Sequence, residues 1–248
     1  MAHIPRLIPA LLLAALPCSA DGLSELRGTL GRLQGSEAIH ATAEIQNWSQ
    51  DGEGKKAKVK QTHSTVLIED GPNGLRLGWT SAQIQGARKE SQLKAVNPEA
   101  VTPNLDSLSA LNGLGATTFL IQSDHLLQQL KGATLLEDRA DGYQGKPSRL
   151  LVFKLDPAVG ADAKSMIKDR KETLKVWLDG NGVPLATEYV IAIKASKFLI
   201  SFTANNRQAS KLAVLGNRLV VQNETKESSG SGMGFSNTSK KVTALTFF

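Results

Sequence analysis

A period of two runs through most of this chain and constrains its fold more than any other feature. Ile39, Ala41, Ala43 and Ile45 alternate with His40, Thr42, Glu44 and Gln46. In a strand, that spacing puts the apolar set on one face and the polar set on the other. Asp51-Gly52-Glu53-Gly54-Lys55-Lys56 then reads as a hairpin loop, and residues 59–69 as its return strand. Asp70-Gly71-Pro72-Asn73-Gly74 is a turn, after which Leu75, Leu77 and Trp79 share one face of a third strand. The alternation resumes after residue 133. A strand through Leu135-Leu136 to Tyr143 turns at Gly145-Lys146-Pro147 and pairs back over 149–155. Leu174, Val176 and Leu178 alternate with Lys175, Trp177 and Asp179, and Asp179-Gly180-Asn181-Gly182 makes the next hairpin turn. Leu185, Thr187, Tyr189, Ile191 and Ile193 line one face of the return strand, and Phe198, Ile200 and Phe202 one face of the strand after it. Residues 219–225 and 242–248 supply two more strands, and the Gly/Ser-rich stretch 227–236 between them reads as a mobile loop.

The helical signals are few and grouped. Leu23, Leu26, Leu30 and Leu33 fall at helical spacing, with Ser24 as a cap and Gly35 as a stop. Residues 82–95 form a polar helix stopped by Asn97-Pro98. Asn104-Leu105-Asp106 opens a short helical turn through Leu111, and Gly113-Leu114-Gly115 reads as a flexible break. Leu120, Leu126, Leu127 and Leu130 predict one more amphipathic helix ending at Gly132, and 158–167 reads as a loop or short helix. About ten strands with short connections imply antiparallel pairing, and segregated helices imply an α+β fold. A sheet that wide curls or splits. The expected fold is a strongly curved antiparallel sheet, a half-open β-barrel, with a few helices packed on its concave face. With 41% hydrophobic and 21% charged residues, the composition excludes disorder, and 21–248 reads as one domain.

Residues 1–20 have the pattern of a secretory signal peptide. Arg6 supplies the basic start, residues 7–16 the apolar run, and Pro17-Cys18-Ser19-Ala20 the small residues before a cut at Asp21. The apolar run is well short of the ~20 residues that span a bilayer. The expectation is export to the periplasm, with no transmembrane segment. A lipoprotein anchored through Cys18 is the minor alternative. Cys18 is the one cysteine of the chain, so a disulfide framework and a cysteine-based zinc site are excluded.

Catalytic constellations are missing from the sequence. There is no Gly-x-Ser-x-Gly elbow, no phosphate loop and no His-Glu-x-x-His, and the glycines of Gly230-Ser231-Gly232-Met233-Gly234 lack the trailing lysine of a phosphate cradle. Asp124 and His125 are adjacent on a helix and point about 100° apart, so they form no tight dyad. His40 and His63 sit on neighbouring strands without a carboxylate or thiolate to complete a metal site. No catalytic residue, metal or cofactor is expected. The formal charge is +6, and Lys55, Lys56, Lys58 and Lys60 cluster at one hairpin tip. They suit an anionic membrane surface, or equally an edge strand guarded against aggregation. Nucleic acid is not an expected partner. Thr246-Phe247-Phe248 ends the chain as outer-membrane barrels end, but two tyrosines are too few for aromatic girdles.

The order of elements, with Val176-Trp177-Leu178-Asp179-x-x-Gly182-x-Pro184-Leu185 at the start of the long antiparallel run, resembles the LolA/LolB-type lipoprotein-carrier superfamily and its RseB-like periplasmic relatives. The resemblance implies a half-open barrel with helices as a lid over an apolar cavity that carries or senses acyl chains. Carriers of that group hold the lid with an arginine on an early strand, and Arg76 is the nearest residue to that place. The function so implied is an exported, non-enzymatic protein that binds a lipid, acyl group or other hydrophobic partner. Leu77, Trp79, Trp177, Tyr189, Ile191, Phe198 and Phe202 are the candidate lining. The alternative is a cell-envelope interaction protein with a filled core.

Overall fold

The structure is a computed structural model that describes residues 21–54, 57–156, 166–197 and 200–248. The expected leader with Cys18, the lysines Lys55 and Lys56, and Phe198 lie outside the described residues, as do most of 158–167.

The first element is a helix, α1 (Gly22–Arg32). Three strands follow: β1 (Ile39–Asp51), β2 (Lys58–Gly71) and β3 (Gly74–Gly78). Four helices come next: α2 (Ser81–Val96), α3 (Pro103–Ser109), α4 (Gly113–Leu120) and α5 (Gln122–Gln129). The remainder is a meander of β4 (Thr134–Tyr143), β5 (Lys146–Lys154), β6 (Ile167–Leu178), β7 (Pro184–Lys197), β8 (Ile200–Leu215), β9 (Arg218–Gly232) and β10 (Phe235–Phe247).

All ten strands join one antiparallel sheet in the order β3-β2-β1-β10-β9-β8-β7-β6-β5-β4. The chain builds three strands outward to the β3 edge and crosses one face of the sheet through α2–α5. It re-enters at the opposite edge with β4 and meanders back until β10 pairs with β1. The sheet is open: β3 and β4 are its edges and are not paired with each other. The fold is therefore α+β, as expected. Ile39, Ala41, Ala43 and Ile45 are buried on the face that carries the helices, beside Val66 and Ile68 of β2. Leu26 and Leu30 of α1, Phe119 and Leu120 of α4, and Leu126 of α5 pack into the same core.

Several local expectations are corrected. The cap of α1 is Asp21, whose carboxylate accepts from the Leu23 N–H at 3.3 Å, rather than Ser24. The presumed break at Gly113-Leu114-Gly115 is the first turn of α4: Asn112 accepts from the Gly115 N–H at 2.8 Å and starts the helix there. The single helix expected through Leu130 is instead divided between α4 and α5 at Ile121. The stretch read as a mobile loop is the outer half of the β9–β10 hairpin, turned by Met233 (φ 51°) and Gly234 (φ 76°). Positive φ at both central residues is the type I′ geometry that matches strand twist. Its glycine content has a packing reason, since a Cβ at Gly232 would lie 2.5 Å from Cδ1 of Phe202. Strand β8 also runs past the short segment expected, to Leu215.

Candidate functional site

The register divides the helix-bearing face into rows that cross the sheet, and each row has its own chemistry. At the closed end, under α1, α4 and α5, the rows are apolar: Ala43, Val66, Leu245 and their neighbours are buried. The next row runs Val176, Thr187, Ser210, Glu224, Thr243, Ile45, Ser64. All seven are buried, and five are polar.

That row opens a polar band. Glu224 accepts from Nε2 of Gln208 at 2.7 Å and pairs with Nζ of Lys226 at 3.0 Å. Lys241, next to Lys226 across β9 and β10, donates to the Ala110 carbonyl at 2.6 Å. Burial and the charge of Lys226 hold the Lys241 ammonium below its ordinary range, against the pull of Glu224. His125 of α5 feels the same cation: burial first, then Lys226, push its imidazole down. Glu172 is 5% exposed, pairs with Arg170 and accepts from the Tyr189 hydroxyl at 3.0 Å. Burial, with the Glu172 charge behind it, pushes the Tyr189 phenol up to about 12.

Beyond the band an apolar patch sits on β6–β8, while the row of Ile191 continues through Asn206, Ser228, Ser239 and Ser49 and is polar there. Ile191, Ile193 and Ala195 of β7, Phe202 and Ala204 of β8, and Ile167 of β6 lie on the helix-bearing side and are half-buried. Among the described residues the principal helix–strand contacts go to β2, β3, β4 and β9, and β6–β8 take none of them. The reason is length. Strands β7, β8 and β9 have 14, 16 and 15 residues, about 45–55 Å at strand rise. Helices α4 and α5 have eight residues each, about 12 Å.

Two of the candidate lining residues, Ile191 and Phe202, thus share this region, while Tyr189 stands in the polar band and packs against the main core. Leu77 pairs with Ile68 at the β3 edge, and Trp79 follows it. Both are half-buried against the main core, six strands from β7. Trp177 is placed apart from all of these. It lies on the helix-free face, donates its indole N–H to Asp141 at 3.0 Å and packs on Tyr143 with ring centroids 5.8 Å apart. Of the lysines, Lys60 pairs with Asp106 of α3 at 2.6 Å and so ties a helix to β2, while Lys58 is exposed. Arg76, the nearest match to a lid-holding arginine, is exposed opposite Glu69 on the side away from Leu77.

An arginine that sequence reasoning missed meets the helices. Arg218, 3% exposed at the start of β9, donates to Asp70 of β2 at 2.7 Å, to the Glu37 carbonyl at 2.7 Å and to the Leu120 carbonyl of α4 at 3.3 Å. No local pattern marks it, because its partners lie 98 or more residues away in sequence. Among the described residues no group of three or more His, Cys, Asp or Glu could hold a metal ion, and no helix is long and apolar enough to cross a membrane. Neither a protein-family model nor a curated protein matches the chain significantly.

Proposed function

We propose that this chain is an exported, non-enzymatic binding protein that takes a lipid acyl chain or another hydrophobic partner on the helix-bearing side of its sheet. The sheet curves there into a half-open trough. Residues 1–20 direct the chain to the periplasm and are then removed. The observation that carries this reading is the apolar patch on β6–β8, where Ile167, Ile191, Ile193, Ala195 and Phe202 are half-buried and lie beyond the principal contacts of the described helices. Apolar side chains at that density gain by leaving water. An acyl chain laid along them gains ~0.8 kcal/mol per methylene buried. The polar band beneath offers Lys226, Lys241 and Tyr189 to the polar end of such a ligand. Shape and burial suffice for recognition of this type, so the sequence needs no catalytic motif.

The reading is tested by purifying the protein from its native envelope, extracting it with organic solvent and analysing the extract by mass spectrometry. Lipid should co-purify in near-stoichiometric amount, and Phe202→Asp or Ile193→Asp should remove it without unfolding the protein. A clean extract from the parent protein, or equal lipid in both variants, contradicts the reading.

A further inference from the structure

We propose that the opposite, helix-free face binds a neutral linear polysaccharide across the strands, with Trp48 as its stacking platform. This inference is independent of the acyl-binding reading, because it uses the other side of the sheet. Two hollows of about 430 and 580 Å³ flank Trp48, and both are lined by Trp48 and Lys240. Each is within the usual size of a ligand site. A third hollow of about 260 Å³ shares Arg207 with the first and continues to Trp177 and Tyr143. The line of hollows therefore crosses the sheet from His63 on β2 to Tyr143 on β4. From β1 to β7 alone it spans four strand spacings, about 19 Å along the sheet. A groove of that form fits an extended polymer better than a compact molecule.

The lining indicates which polymer. Trp48 is half-buried but lies away from the core, between Gln61 and Lys240 in register. Its ring is an apolar plate surrounded by Asn205, Ser229 and Thr238. These amide and hydroxyl groups donate and accept, which is what sugar hydroxyls require, while the indole takes the C–H face of a sugar ring. Five charged groups on this face are tied to one another by ion pairs. Lys240 meets Glu227 at 3.2 Å, Glu227 meets Arg207 at 3.5 Å, Arg207 meets Glu188 at 2.5 Å, and Glu188 meets Lys175 at 2.9 Å. The ladder alternates in sign across β10–β6, three cations with two carboxylates between them, so each carboxylate is held by two cations. A neutral chain crosses it without drawing any of these five groups from its partner.

The test is affinity electrophoresis of the full chain in gels containing hydroxyethylcellulose, laminarin, dextran or soluble starch. At least one of these should retard the protein. Trp48→Ala should weaken that binding at least tenfold, and Trp48→Phe should retain most of it. Ser229→Arg fills the first hollow from an exposed position and should weaken binding as much. If Trp48→Ala does not fold, Ser229→Arg decides. Free migration in all four gels, retardation by heparin alone, or unchanged retardation of Ser229→Arg overturns the proposal.

Discussion

At the scale of single residues, Arg218 ties together segments that are far apart in the chain. Its guanidinium links β9, β2, the segment before β1 and the end of α4. Removing one partner of a buried ion pair strands the other, so Arg218→Ala should cost about 3 kcal/mol in urea denaturation. Asp138 gives a pH-dependent counterpart. Arg149 donates to both of its carboxylate oxygens at 2.6 Å, and those hydrogen bonds hold the Asp138 carboxyl below its ordinary value of 3.8. Because the folded value is depressed, the stabilisation is full above the unfolded pKa and disappears as the pH falls through the folded one. Asp138→Asn should therefore lower the urea midpoint at about pH 7, and the difference from the parent should shrink as the pH falls below the unfolded pKa. The sequence shows the inward direction of Ile45 or Val176 because the alternation is local. It does not show Arg218, whose partners come from three distant segments, nor that Trp48 stands over a groove formed by strands far apart in the chain.

At the scale of elements, the α2–α3 pair shows how a short helix is held. Thr102 makes no side-chain cap to α3, and Glu90 of α2 supplies one instead. Its carboxylate accepts from the Leu105 N–H at 2.8 Å and from Asn104 Nδ2 at 2.6 Å. Burial works against the Glu90 charge, but these hydrogen bonds prevail and hold its pKa below the ordinary range. Glu90→Ala should loosen α3 by about 1 kcal/mol, the size of a lost cap. Hydrogen exchange should then speed up at the α3 amides and leave β7–β9 unaffected. The strands β1, β2, β3 and β6 were legible because period two and turn residues coincide in them. Helix α4 was not, because its glycines read as a break while the Asn112 cap that overrides them is a single residue. The β9–β10 hairpin was hidden in the same way, since the Gly/Ser composition that suggests a loop here serves close strand packing under Phe202.

At the scale of the whole molecule, the expected α+β antiparallel architecture follows from counting strands and seeing the helices grouped in one stretch. The closing pair β1–β10 and the crossing from edge to edge depend on contacts between the two ends of the chain. No local pattern carries those. The strands outrun the described helices, which leaves an apolar patch on β6–β8 beyond the polar band. The account depends on that mismatch. It is tested most directly by incubating the protein with a diazirine-labelled fatty acid, irradiating it and mapping the adducts by peptide mass spectrometry. The account predicts adducts concentrated on β7 and β8 around Ile191, Ile193 and Phe202, competed away by unlabelled fatty acid. An absence of competable adducts, or adducts confined to the Trp48 side of the sheet, would contradict it.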